Sequence, residues 1–108
     1  MKLSIRSRHF DLAPELHDQI TRRVHFALSR LDGSIQAVDI TIADINGPRG
    51  GADKQCQIRV RGPALKTIVI EHLGLDSLAT VSLALDRAAR AVLRRVARRR
   101  AFASSTSA

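Results

Sequence analysis

The stretch from Asp76 to Arg100 constrains the fold more than any other part of the chain, because it combines clear helical periodicity with a large share of the positive charge. Asp76 or Ser77 suits the N-cap of a helix, and arginines near the end complement the negative C-terminus of the helix dipole. The apolar residues recur at intervals of three and four, so they fall on one stripe of a helix that buries one side. They are Leu78, Val81, Leu85, Ala89, Val92 and Val96. We predict a long amphipathic helix that ends near Arg100.

The other side of this predicted helix is basic. No acidic residue occurs from Arg87 to Arg100, and only Asp86 stands four residues before an arginine of this side. A solvated helix face usually mixes both signs of charge, so this run is unusual for a surface that only meets water. Arginine also has planar donors that suit phosphate oxygens in bidentate geometry. A solvated face remains the simpler interpretation, but the pattern favours a partner that carries phosphate. The arginines of this side are Arg87, Arg90, Arg94 and Arg98.

The composition of the whole chain agrees with a polyanionic partner. The 108 residues include 18 Lys or Arg against 10 Asp or Glu, a net charge of +8 at pH 7. Such a balance indicates nucleic acid or an anionic membrane surface. The length and the hydrophobic content of 44% predict a single domain with one core.

Cysteine usage and hydropathy indicate a cytoplasmic protein. Cys56 is the one cysteine and cannot form an internal disulfide, so we expect a reduced thiol in the core. No Cys/His cluster has the spacing of a metal site, and we expect neither a metal nor another cofactor. No apolar run approaches the ~20 residues that cross a bilayer, and the N-terminus does not resemble a signal peptide. We therefore expect no membrane association.

A second helix is predicted in the first third of the chain. Pro14 suits the first helical position, and Asp32 and Gly33 end the segment. Phe26 lies off its apolar stripe, which indicates a domain edge or a contact with a partner. The stripe consists of Leu16, Ile20, Val24, Ala27 and Leu31, and the flank carries Arg22, Arg23 and Arg30.

Four further segments predict strands. Residues 2–6, 35–45 and 55–61 alternate polar and apolar side chains, and residues 65–71 are rich in β-branched side chains. The order β-α-β-β-β-α predicts an α+β fold, a largely antiparallel four-stranded sheet with both helices packed on one face. We expect this domain to span residues 1–100 and residues 101–108 to form a short flexible tail. The strand residues expected to face the helices are Leu3, Ile5, Val38, Ile40, Ile42, Cys56, Ile58 and Val60.

The segment Asn46 to Lys54 is dense in turn residues and is predicted to connect two strands of a hairpin. Its glycines would allow a phosphate to approach the backbone, which makes Arg49 and Lys54 candidate loop contacts. It lacks the Gly-Lys-Ser/Thr ending of a nucleotide-binding P-loop, so a nucleoside-triphosphate site is excluded.

Several motifs, taken with this element order, resemble the ribosome hibernation-promoting factor family, also described as ribosome-associated inhibitors or sigma-54 modulation proteins. They are the opening MKLSI, the pair Arg22-Arg23, the segment NGPRGGADKQC, the run IVIE from Ile68, and Asp76-x-Leu78-Ala79-x-Val81. The resemblance covers residues 1 to about 100. It implies a fold similar to a double-stranded-RNA-binding domain. It also implies a protein that binds 16S rRNA of the small ribosomal subunit in the cleft between head and body, blocks the mRNA and tRNA sites, and protects idle ribosomes.

The same resemblance implies which residues contact rRNA. In helix one they are Arg22 and Arg23, to which we add the neighbouring Arg30. In helix two they are Arg87, Arg90, Arg94, Arg95 and Arg98. Long members of the family carry a C-terminal dimerisation domain. Here six residues follow Phe102, so we expect no pairing through such a domain and a monomer away from the ribosome.

Other classes of function fit less well. The histidines are scattered and have no Ser or Cys partner at a readable spacing, so we expect no enzyme and no small-molecule substrate. The Val- and Ala-rich face of helix two is needed to cover the sheet rather than a membrane. No helix-turn-helix spacing is present, and the strands lack aromatics for single-strand stacking. A protein-interaction module that modulates a sigma-54-type transcription factor remains the alternative, with Phe26, Leu83 and Phe102 as candidate apolar contacts.

Overall fold

A computed structural model describes residues 1–45, 53–63 and 65–106, and for residues 101–106 it describes the backbone alone. The order of elements confirms the predicted α+β fold and the β-α-β-β-β-α sequence. The elements are β1 (Lys2–Arg8), α1 (Pro14–Leu28), a 3-10 segment (Ser29–Ser34), β2 (Ala37–Asp44), β3 (Lys54–Arg61), β4 (Ile68–Gly74) and α2 (Ser77–Thr106).

The four strands form one mixed sheet in the order β1-β2-β3-β4. β1 pairs with β2 in parallel, and the other two pairs are antiparallel. A parallel pair cannot be joined by a tight turn, and α1 supplies the crossover between β1 and β2. The register places Leu3 beside Val38 and Ile40 beside Ile58, so the inward residues of neighbouring strands form continuous rows.

Both helices pack against this inward side. Every predicted inward strand residue lies in the core or packs against it, as do the predicted apolar stripes of the two helices. The fully buried helix residues include Ile20, Val24, Val81 and Val92. α1 follows the last residue of β1, and α2 follows the last residue of β4. These two residues lie at the same end of the sheet. Both helices therefore begin at that end of the domain and run towards the other end.

Among the predicted boundaries that differ from the structure, two have a clear physical reason. β4 begins at Ile68 rather than Leu65, because Lys66 has a positive φ of 53° and interrupts the extended chain. Leu65 is nevertheless fully buried, in a turn in which its N–H donates to the Gly62 carbonyl. α2 continues past Arg100, its predicted end, to Thr106, because no glycine or proline interrupts the chain between Ser77 and Thr106. The predicted tail therefore starts as helix.

The predicted hairpin connection between β2 and β3 is closed by the Ile45 N–H, which donates to the Asp53 carbonyl at 2.9 Å. Residues 46–52, which include Arg49, lie outside the described residues.

Candidate nucleic-acid interface

The start of α2 is fixed by the side chain that was predicted to cap it. The Asp76 carboxylate accepts a hydrogen bond from the Ala79 N–H at 2.9 Å, and the Asp76 carbonyl accepts one from the Thr80 hydroxyl at 2.6 Å. Thr80 is buried against Gly74. A Cβ added at Gly74 would lie 2.3 Å from the hydroxyl oxygen of Thr80. These contacts hold the first turn of α2 against the end of β4, which sets the rotation of the helix and decides which side chains face the solvent.

With α2 in this orientation, its arginine stripe lies on the exposed side of the helix. Arg87, Arg90, Arg94 and Arg98 are exposed, whereas the opposite side of the helix is buried in the core. The separation follows from spacing, since residues three and four apart share one side of a helix. The amphipathic pattern predicted for this segment is confirmed.

α1 and the 3-10 segment add basic side chains next to this stripe. Arg22, Arg23 and Arg30 are all exposed, and α1 packs directly beside α2 on the same side of the sheet. We call the surface formed by Arg22, Arg23, Arg30, Arg90, Arg94 and Arg98 the helical face. Within the part of the chain that the structure describes, none of these six guanidinium groups lies within 4.0 Å of a carboxylate. Their charges are available to a partner.

Two of the predicted contact residues make hydrogen bonds inside the protein. Arg87 is exposed but donates to the Glu71 carbonyl on the edge strand β4 at 2.7 Å. Arg95 is partly buried and donates to the carbonyl of Leu65. It stands seven residues after the buried Ala88, so it lies on the side of α2 that faces the sheet. These two arginines tie α2 to the middle of β4 and to the turn that precedes it.

Lys54, the candidate loop contact, is not brought together with the helical face. It lies at the end of the sheet where the helices begin, whereas the basic residues of the helical face start near the middle of each helix, at Arg22 and Arg90. Its ammonium is 3.1 Å from the Asp44 carboxylate, 3.7 Å from that of Asp53 and 5.5 Å from the centre of the Phe10 ring. The hydrogen bond with Asp44 raises the pKa of Lys54. Its charge is largely compensated within the protein.

Two exposed arginines were missed by the sequence analysis. Arg99 and Arg100 are exposed near the end of α2, although Arg99 stands seven residues after the buried Val92. The 30-residue α2 is ~45 Å long, while the 8-residue β2 spans only ~26 Å. Because the helix passes beyond the sheet, even the side chains on its inward line meet solvent there. The mismatch in length between the predicted helix and strands was the signal that could have found them.

The opposite face of the sheet is open and of mixed charge. Arg6, Arg59 and Arg61 are exposed there, but Asp39 and Glu71 stand among them. Arg61 lies 3.5 Å from the Asp39 carboxylate, and the Gln57 amide donates to the Glu71 carboxylate at 3.2 Å. The helical face is the more uniformly positive of the two.

The described residues hold no group of three or more His, Cys, Asp or Glu side chains that could bind a metal ion. Neither helix, over the same residues, is both long and apolar enough to cross a membrane.

Cys56 lies in the core, as predicted, and burial raises the pKa of its thiol to about 12.

Comparison with known proteins adds a family and a fold. No curated protein matches the sequence. The structure is similar to a ribosomal subunit interface protein from Coxiella burnetii, with a TM-score of 0.76, 21% identity, and coverage of 90% of this chain and 99% of that one. It is also similar to the N-terminal domain of Thermus thermophilus Protein Y, with a TM-score of 0.69, 18% identity, and coverage of 87% and 98%. A family model described as sigma 54 modulation protein / S30EA ribosomal protein matches residues 3–100, and the chain belongs to that family.

Proposed function

We propose that this protein binds the small ribosomal subunit through 16S rRNA, in the decoding cleft between head and body. There it occupies the mRNA and tRNA sites and acts as a translation inhibitor that keeps idle ribosomes in a hibernating state under stress. Membership of the family supports a ribosomal role, and so does the name of the Coxiella burnetii relative, a ribosomal subunit interface protein.

The observation that carries this proposal is the helical face. Six arginines from α1, the 3-10 segment and α2 lie on one side of the sheet without an acidic partner within salt-bridge distance among the described residues. A surface of uncompensated arginines destabilises the folded protein because like charges repel, and the fold gains no stability in return. Phosphate oxygens would neutralise these groups in the bidentate geometry that guanidinium prefers.

The arginine contacts act by position rather than by reading bases. Arginines on two rigid helices meet phosphates at fixed separations, so they select a folded RNA whose backbone has the matching shape. Each neutralised phosphate releases condensed counterions, which makes binding strongly dependent on salt. Obstruction of the mRNA and tRNA sites by the bound domain is sufficient for inhibition. We accordingly propose a cytoplasmic binding protein that catalyses no reaction and is monomeric away from the ribosome.

Sedimentation with purified ribosomal subunits tests this function. The protein, incubated with small and large subunits separately, should pellet with the small subunit and with whole ribosomes but not with the large subunit. Messenger RNA or initiator tRNA bound beforehand should reduce its binding, because both would occupy the same cleft. Equal binding to both subunits, or binding unaffected by both competitors, would place the protein elsewhere.

A further inference from the structure

A groove with a volume of about 540 Å³ runs between α1 and α2, in the middle of the helical face. Its apolar lining includes Phe26 from α1 and Ala89 and Leu93 from α2. Its charged lining consists of Arg30 and Arg90, with Asp86 as the one carboxylate among its lining residues. The volume lies within the roughly 300–1,000 Å³ that is usual for small-ligand sites.

The groove leaves an aromatic ring in solvent. Phe26 is 87% exposed and Leu93 is 54% exposed. Phe26 does not share the buried line of Ile20, Val24 and Leu28 on α1, so its ring contributes little to the core. A large exposed apolar side chain within a charged surface is a common sign of a binding contact.

We propose that this groove holds one unpaired nucleotide of RNA, with its base stacked on the Phe26 ring and its flanking phosphates bound by Arg30 and Arg90. This inference rests on the proposed function and assigns a site for a single nucleotide within it. Asp86 also lines the groove, and its carboxylate would accept a hydrogen bond from an exocyclic amino group, which favours adenine, cytosine or guanine over uracil.

Charge complementarity favours RNA over a protein segment as the occupant. A nucleotide is an apolar ring with an anion on either side, and the groove is an apolar strip with one cation from the 3-10 segment after α1 and one from α2. A docked protein would need a larger apolar area than Phe26 and Leu93 offer, since stable protein interfaces bury on the order of 1,200–2,000 Å². Base stacking on an aromatic side chain needs only the one ring.

Three substitutions of Phe26 test the inference with purified small subunits as the probe. Phe26→Ala should weaken binding by roughly 5- to 100-fold through loss of the stack, while Phe26→Trp should keep wild-type affinity. Phe26→Leu retains an apolar side chain but no aromatic ring, and should bind almost as weakly as Phe26→Ala. The salt dependence should keep its wild-type slope in all three, because no phosphate contact is removed. A thermal melt should be unchanged, since the ring is exposed.

Chemical probing of the rRNA locates the base. One base protected by the wild-type protein should become reactive again with Phe26→Ala, while protections elsewhere in the footprint remain. Wild-type affinity of Phe26→Ala would overturn the inference, and wild-type affinity of Phe26→Leu would indicate an apolar contact with a ribosomal protein instead. Either result leaves the proposed function intact if substitution of Arg90 and Arg94 still abolishes binding. Failure of the wild-type protein to bind small subunits would instead refute the proposed function itself.

Discussion

The guanidinium of Arg95 on α2 donates a hydrogen bond to the backbone carbonyl of Leu65, the fully buried residue that precedes β4. This contact joins the helix to the turn before an edge strand, so one arginine of the basic run helps to hold the fold. Arg94, the residue immediately before it, is exposed and belongs to the helical face. Adjacent arginines therefore have different roles because they project from different sides of α2.

The pair gives a matched test of this division. Arg95→Ala should lower the free energy of unfolding by about 1–2 kcal/mol, because the Leu65 carbonyl loses a charged donor and the helix loses packing of the arginine stem. Arg94→Ala should change it by less than about 0.5 kcal/mol, as is usual for an exposed site. Urea denaturation of both variants measures the difference. Equal stabilities would show that the contact of Arg95 contributes nothing to the fold.

Gly62 allows a close approach between two turns. A Cβ at this position would lie 2.1 Å from the carbonyl oxygen of Ser34. This oxygen belongs to the backbone, so it cannot move aside as the end of a flexible side chain could. Gly62→Ala should therefore destabilise the protein by about 1–3 kcal/mol. Gly33→Ala is the control, because nothing lies within 4 Å of a Cβ there. Thermal melts of the two variants check the prediction, and a Gly62→Ala melt at the wild-type temperature would contradict the packing of these turns.

Cys56 should make stability depend on pH in the alkaline range. Burial raises the pKa of its thiol from an ordinary value of 9.0 to about 12, so the folded protein keeps the proton that the unfolded chain releases. The thiol's contribution is complete below pH 9.0 and is lost as the pH rises towards about 12. Denaturation midpoints measured across this interval should fall more steeply for the wild type than for Cys56→Ala. A native thiol should also react with alkylating reagents far more slowly than the same thiol in urea.

Much of the fold could be predicted because the periodicities were clean. Alternation fixed the inward rows of the strands, and the spacing of Val81, Leu85 and Val92 identified the buried side of α2. The start of β4 could not be predicted, because nothing in the sequence shows that Lys66, just before the β-branched run, has a positive φ. The groove could not be predicted either, since it joins Phe26 and Leu93 from different helices. Arg95 was grouped with the contact residues through the family resemblance, and only the position of Leu65 reveals its internal partner.

The placement of the RNA-binding surface on the helical face is the central claim, and two charge-reversal pairs test it. Arg90→Glu/Arg94→Glu alters the helical face, and both side chains are exposed. Arg6→Glu/Arg8→Glu makes the same change in net charge on the open face of the sheet. Arg6 and Arg8 stand beside Thr41 and Ala43, so no carboxylate lies directly opposite. All four positions are solvent-exposed, and both variants should melt close to the wild type.

The most direct measurement is pelleting of these two variants with purified small subunits across a range of salt concentrations. The helical-face variant should lose binding at physiological salt, and any residual affinity should depend on salt with a log–log slope reduced by roughly two units, one for each lost phosphate contact. The sheet-face variant should bind with nearly the wild-type affinity and slope. Retention of binding by the helical-face variant together with loss by the sheet-face variant would place the RNA on the opposite side of the domain.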